Sequence, residues 1–385
     1  MKVLFVTRGY PSKKDPMKGN YEAVQAKAIA KKGNNVSVIG IRWRSVANIL
    51  KSRKLEHRVD GGIDVYTCMR VTPFLPHLTI PRLNLLIHKW AFKKVFKRYV
   101  KEKGLPDIIH IHSLHAAPAI LALRELCSTP VVITEHWSKI LSKEMPLGTK
   151  YEIKCWGKKC YHKADTVIAV SSSLAHVIKK KYGVDCRIVN NMVEDHFFSI
   201  PVSREKQKVF RFISIGSLLP LKGYESLIKA FASIDDDIDV RLDIVGKGPE
   251  KDRLHKLIRK YNQQKRVQLT GFKSPDEISK MLDSSDCFVL ASRSETFGIV
   301  YIEAMAKGLP VIATRCGGPE EFINEENGLL VDVGDIEALS DALKYMIYNK
   351  NRFNREKIRK YCFDNFSESA ISDKIMNIYK EIVNK

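Results

Sequence analysis

The chain has 385 residues, 44% of them hydrophobic and 28% charged, which suits two globular domains and excludes a disordered or fibrous class. No run of about 18 apolar residues occurs, so no spanning helix is expected, and the opening MKVLFVTRGYPSKK lacks the layout of a signal peptide. Net charge is +22, and residues 1–200 carry nearly all of it, with 35 Lys and Arg against 15 Asp and Glu, while residues 201–385 hold 30 against 28. A cytoplasmic protein is expected, whose first half faces something anionic: nucleic acid, lipid headgroups or a diphosphate-bearing acceptor. The eight cysteines show no paired spacing beyond Cys155 and Cys160 and read as free thiols rather than a zinc site.

In chain order, Lys2–Thr7 is a buried strand, Arg8–Asn20 a polar loop and Tyr21–Lys32 a helix ended by Gly33. Val36–Gly40 is the next strand, followed by strands at Asp107–Ile111, Pro130–Thr134, Thr166–Val170 and Arg187–Asn190. Helical segments separate most of them, Lys89–Lys103 included. The pattern then restarts. Strands at Val209–Gly216, Val240–Val245, Val267–Thr270, Cys287–Leu290 and Leu309–Ala313 alternate with helices at Gly223–Ser233, Pro249–Tyr261, Pro275–Asp283 and Gly298–Lys307. Short β-branched runs alternating with helices make a parallel sheet covered on both faces. The expected fold is therefore α/β, with two doubly wound Rossmann-like domains facing each other across a cleft. Residues 1–200 form the first, with 366–385 packing back on it. Residues 209–365 form the second, after a linker near Ser199–Lys208. Phe366–Val383 reads as one amphipathic helix.

Ser292–Pro319, SRSETFGIVYIEAMAKGLPVIATRCGGP, is the most informative stretch. It reads as a loop with Glu295, a turn at Gly298, a helix carrying Glu303, and a strand. The first amides of that helix, at Gly298, Ile299 and Val300, form a ready anion site. Glu303 lies about 7–8 Å further along the axis, a distance that suits ribose hydroxyls while the amides hold a diphosphate. Glu295 precedes the helix and projects toward whatever hangs from the terminal phosphate.

Two glutamates at the spacing of Glu295 and Glu303, flanked by Phe297-Gly298, EAMAKGLPVIAT and Gly317-Gly318, resemble the family 4 retaining glycosyltransferases of the two-Rossmann-domain fold (GT-B type), among them those of bacterial polysaccharide assembly. The resemblance covers nearly the whole chain. It implies that Lys222, in Gly216-Ser217-Leu218-Leu219-Pro220-Leu221-Lys222-Gly223, binds the donor diphosphate, as the charge logic also requires. Ser217 stands where the family often has arginine. By the same resemblance Gly19 brings backbone amides to the donor, Gly246 lies in the loop after the second strand of its domain, and Phe272 and Lys273 frame the nucleotide base. The family's active-site histidine corresponds to His112, which shares a strand face with His110. His136 ends the next strand in the same layer. His112, Glu295 and Lys222 are the expected catalytic residues.

The resemblance further implies transfer of a hexose-type sugar with retention, by front-face attack in which the leaving phosphate oxygen takes the acceptor proton. The donor is a nucleotide-diphosphate sugar, UDP- or GDP-linked, and the acceptor a saccharide, lipid-linked in a surface-polysaccharide or glycoconjugate pathway. No cofactor and no metal are expected. The acids at Asp235–Asp237 and Asp239 sit in a turn at the domain edge, and Lys222 with the helix amides takes the ion's role. A sugar-nucleotide epimerase of the same fold and a non-catalytic sugar-nucleotide-binding protein are the alternatives. No aromatic-basic stacking motif or helix-turn-helix signature points to nucleic acid. Arg42–Arg58 instead carries Arg42, Arg44, Lys51, Arg53 and Lys54 among Trp43, Val46, Ile49 and Leu50. A basic amphipathic stretch of this kind suits peripheral docking on an anionic membrane, at the inner face of the plasma membrane.

Overall fold

The computed structural model describes residues 1–12, 19–45, 55–72, 81–137, 140, 147–199 and 209–384. The chain divides into two compact units, Met1–Asn190 with Ile371–Lys385, and Asn191–Ala370.

The first unit is built on strands β1 (Lys2–Thr7), β2 (Asn35–Ser45), β3 (Glu56–Asp60), β4 (Ile63–Thr72), β5 (Ile108–His112), β6 (Val131–Glu135), β7 (Thr166–Ala169) and β8 (Arg187–Ile188), in the order β3-β4-β2-β1-β5-β6-β7-β8. Only the β3–β4 pair is antiparallel among these strands. The order reverses between β1 and β5, so the loops after those strands flank a topological switch point, where α/β sheets bind ligands. Val3–Val6 and Ile108–Ile111 are sealed from solvent. Apart from His110 they read as apolar runs, because helices such as Asn20–Lys31 and Pro81–Lys103 cover the sheet.

The second unit carries β9 (Phe210–Ile215), β10 (Val240–Val245), β11 (Val267–Gly271), β12 (Cys287–Leu290), β13 (Val311–Thr314) and β14 (Gly328–Val331), all parallel, in the order β11-β10-β9-β12-β13-β14. This is the 3-2-1-4-5-6 arrangement of a dinucleotide-binding sheet, with its switch point between β9 and β12.

Two features differ from the expectation. β2 does not stop at Gly40: it pairs with β4 through Ser45, so Arg42 and Arg44 lie on a strand rather than in a helical stretch. Val46, Ile49, Leu50, Lys51, Arg53 and Lys54 lie outside the described residues. The β3–β4 hairpin turns on Gly61 and Gly62, both at positive φ, a glycine turn that the sequence does display. The expected final helix stands as Glu368–Val383, and a separate helix, Arg355–Phe366, precedes it across Ser367, whose backbone bridges Val193. Residues 200–208, most of the expected linker, lie outside the description, and the units divide at Asn190 and Asn191. Among the described residues no helix is long and apolar enough to cross a membrane.

Candidate active site

In the second unit the loops after β9, β10, β12 and β13 converge. Pro220–Lys222 is a 3-10 turn closed by Gly223 at φ 67°, and a Cβ there would lie 1.8 Å from the Ala291 carbonyl oxygen. Only glycine fits, because both the positive φ and the close approach exclude a side chain. The turn thereby carries Lys222 to the loop after β12. There Lys222 Nζ donates to Glu295 Oε1 at 2.5 Å, and Ser292 Oγ donates to the same oxygen at 2.7 Å. Glu295 is itself fixed by backbone. Its N–H donates to the Cys316 carbonyl and its own carbonyl accepts from Gly318, each at 3.1 Å, a one-rung parallel bridge between the two loops.

Gly298, at φ 96°, starts the helix Ile299–Ala306, with Ile299 and Val300 in its first turn. Four residues on, Glu303 is half-buried, and burial followed by the nearby Glu194 pushes its carboxyl up to about 7. Phe297 is fully buried against Phe322 and Phe366, so its side chain serves the core and only its backbone shapes the loop. Gly246 donates to the Gly271 carbonyl at 2.8 Å, binding the β10 loop to the β11 loop. Beyond it Phe272 is half-exposed, with Lys247 Nζ 4.8 Å from its ring centre. Lys273 pairs with Glu277 at 3.2 Å, and Ser217 is exposed. Asp236, in the turn before β10, pairs with Arg266 at 2.6 Å.

The first unit holds a histidine cluster at the carboxyl ends of β5 and β6. His110 is sealed in, sharing hydrogen bonds with Tyr379 Oη at 2.5 Å and Thr134 Oγ1 at 2.6 Å, and burial holds it neutral, down at about 3. His112 is equally buried, 4.4 Å from His110 and 5.6 Å from His136 between ring centres. Neither of its ring nitrogens has a hydrogen-bond partner among the described residues. Burial, with His110 and His136 adding to it, keeps its pKa well below the ordinary histidine value. A neutral imidazole holds one donor and one acceptor, and here the protein satisfies neither. His136 stands 4.0 Å from Glu22, on the first turn of the helix that Gly19 introduces at φ 71°.

Two contributors escaped the sequence reading. Ser113, directly after His112, has φ 62°, a sparsely populated conformation for a residue with a Cβ. Glu135, the residue before His136, is a buried hub. It accepts from the amides of Leu114 (2.7 Å), Trp137 (2.8 Å) and His136 (3.0 Å) and from Tyr161 Oη (2.8 Å). It thus ties the turn after β5 to the turn after β6. The signal was a glutamate at the end of an otherwise apolar strand, where burial requires partners.

Residues 23–197 match the family described as Glycosyltransferase Family 4, and residues 195–379 the one described as Glycosyl transferases group 1. The chain is 31% identical over 345 residues to a D-inositol 3-phosphate glycosyltransferase of Pseudarthrobacter chlorophenolicus, covering 83% of this chain and 79% of the relative. It is 27% identical to a putative teichuronic acid biosynthesis glycosyltransferase of Bacillus subtilis, over 94% of this chain and 91% of the relative. It is similar in fold to Anabaena HepE in complex with UDP, with TM-score 0.75 and 20% identity over 99% of this chain and 100% of the other. The two α/β units agree with these matches, and the chain belongs to the family 4 glycosyltransferases, of GT-B fold.

Proposed function

We propose that this glycosyltransferase moves a hexose from a nucleotide-diphosphate donor, UDP- or GDP-linked, to a saccharide acceptor, with retention and without a metal or other cofactor. The Lys222–Glu295 pair carries the reading. A buried carboxylate that holds a lysine at the carboxyl end of a Rossmann sheet is a charge pair poised to exchange partners. A donor diphosphate competes for Lys222, and the amides of Gly298, Ile299 and Val300 supply further positive potential. As the sugar–phosphate bond lengthens, negative charge grows on the leaving oxygen, and these groups stabilise it, the largest electrostatic contribution available here. Glu295, freed from Lys222, faces the sugar, where its charge favours the cation-like anomeric carbon. Glu303 binds the ribose hydroxyls, and Gly19, Gly246, Phe272 and Lys273 frame the donor. The leaving phosphate oxygen takes the acceptor proton.

His112 has unsatisfied hydrogen-bonding capacity that a sugar hydroxyl matches, with His136 beside it on the acceptor side. The product enters a cell-surface polysaccharide or glycoconjugate. The basic excess of residues 1–200, with Arg42, Arg44, Lys51, Arg53 and Lys54 in it, suits a lipid-linked acceptor on an anionic leaflet at the cytoplasmic face of the plasma membrane. Each such cation near the surface contributes about 1 kcal/mol. The resemblance to retaining enzymes and the charge distribution support these finer points.

The test is a thermal-shift panel of nucleotide sugars, followed by acceptor screening with the donor that binds best. Release of nucleoside diphosphate that depends on acceptor, with the anomeric configuration kept in the product, is expected. Release independent of every acceptor, or an inverted product, overturns the reading. For the membrane, sedimentation with anionic but not neutral vesicles, lost at high salt, is expected, and equal partitioning to both refutes it.

A further inference from the structure

The second unit has a basic groove that shares only Lys273 with the proposed donor site. Arg211 on β9 and Arg241 on β10 are register partners on adjacent parallel strands. Like charges placed directly across a sheet repel and destabilise it. The amino end of β11 extends the row, since the Arg266 carbonyl accepts from the amide of Leu242, the neighbour of Arg241. Arg211, Arg241, Lys265, Arg266 and Lys273 line one groove of about 550 Å³ against a single acid, Asp243. The volume lies in the range of ligand pockets.

The surrounding acids neutralise Arg266 and Lys273 but not Arg211 and Arg241. Asp236 is committed to Arg266 and Glu277 to Lys273, while Asp286 pairs with Lys350 and accepts from the Arg211 backbone amide. Asp243 feels both arginines electrostatically but forms an ion pair with neither. Among the described residues no carboxylate lies within ion-pair distance of Arg211 or Arg241, and Arg211 Nε is buried without a hydrogen-bond partner. A buried guanidinium nitrogen left unsatisfied is costly unless something external binds it.

We infer that this groove is a second binding site, for an anionic saccharide chain whose carboxylate or phosphate groups bridge Arg211 and Arg241. Planar guanidinium groups match both oxyanions. Gln264 and Gln268, interleaved with the cations, supply the neutral donors and acceptors that sugar hydroxyls need. The lining holds no aromatic side chain, so the stacking platform of single-stranded nucleic acid binding is missing. The groove starts at the amino ends of β9 and β10 and reaches Lys273 beyond the carboxyl end of β11. A bound chain therefore lies along the sheet, with most of its contacts remote from Lys222 and Glu295. This site does not depend on which sugar is transferred, nor on transfer itself.

The experiment is calorimetric titration of the full chain with hexagalacturonate, maltohexaose, inorganic phosphate and a six-nucleotide single-stranded DNA. Hexagalacturonate is expected to bind, more weakly as salt rises, and maltohexaose not to bind. Arg241→Glu, at an exposed position, is expected to weaken hexagalacturonate at least about tenfold, the loss of one charge-assisted contact. Arg241→Gln relieves the repulsion and should melt no lower than the parent protein, which keeps a folding defect apart from a binding defect. Acceptor-dependent release of nucleoside diphosphate with a neutral acceptor should survive both changes. Absence of hexagalacturonate binding, or binding unchanged by Arg241→Glu, overturns the site. Equal affinity for phosphate alone makes it a small-anion site, and equal affinity for the oligonucleotide a nucleic-acid surface. Either result overturns the saccharide assignment.

Discussion

Lys222 Nζ and Ser292 Oγ converge on one oxygen of Glu295, at 2.5 and 2.7 Å, in a loop that backbone bonds to Cys316 and Gly318 already hold. The lysine is the mobile member of that pair, because its stem is flexible while the carboxylate is fixed. Lys222→Ala should therefore reduce kcat at least about tenfold, with a smaller effect on donor affinity, since charge-assisted contacts are worth roughly 1.5–3 kcal/mol. On the same reading turnover should be insensitive to EDTA. Steady-state kinetics check both, and activity lost in EDTA and restored by Mg²⁺ or Mn²⁺ would show that a metal carries the diphosphate.

Glu303 gives a pH signature. Its carboxyl titrates at about 7 rather than 4.5, chiefly through burial, so the native chain holds a proton that the unfolded chain has released. The stability this contributes is complete below the ordinary value and is lost as pH rises from about 4.5 to about 7. Donor binding runs the other way, because ribose hydroxyls donate best to the carboxylate. The Kd for donor nucleotide should rise as pH falls below 7, and Glu303→Gln should bind weakly at every pH with no such slope. Isothermal titration from pH 5.5 to 8.5 decides this, and a slope that persists in Glu303→Gln removes Glu303 from the donor site.

The His110–Tyr379 bond gives a stability test. Tyr379→Phe leaves a sealed imidazole nitrogen without its partner, at a cost of about 1–3 kcal/mol, read as a fall in the midpoint of denaturant unfolding. Because His110 titrates at about 3 instead of 6.5, the unfolded chain takes up the extra proton on acidification. Stability from His110 is complete above about 6.5 and drains away as pH falls toward 3, and His112 is displaced in the same direction. A His110→Gln variant should show a shallower loss between pH 6.5 and 4.

Gly223→Ala is expected to be more severe than its size suggests. The added methyl would meet a backbone carbonyl at 1.8 Å, which no rotamer change relieves. The turn must shift, taking Lys222 with it, so both Tm and turnover should fall. Unchanged kinetics would mean that the turn does not position Lys222.

The repeated strand–helix alternation and the glutamate pair were legible in the sequence because parallel strands buried on both faces read as apolar runs and helix-start glycines stand out. β3, β4 and the outer half of β2 were not. In Ile41-Arg42-Trp43-Arg44 polar and apolar residues alternate, the mark of a half-buried strand, and charge concealed it, while Glu56–Asp60 is mostly polar and shows no strand period. Glu303 and Lys222 announce themselves by spacing. Glu135 is defined by amides from two separate turns, which no local window contains. Phe297 stands out in the sequence as a flank of the glutamate pair, while its side-chain packing against Phe322 and Phe366 comes from residues far along the chain.

The first unit is assembled from two distant pieces of chain, with Tyr379 in the final helix completing the polar contacts of His110 on β5. A ribosome finishes Ile108–His112 some 260 residues before it delivers Tyr379, and domains otherwise tend to fold as they emerge. The second unit, continuous from Asn191 to Ala370, can close while the first still waits for its last helix. The second unit is then expected to mature before the first, against the order of synthesis. A chain halted after residue 370 would carry a complete second unit and an N-terminal unit with His110 lacking its tyrosine.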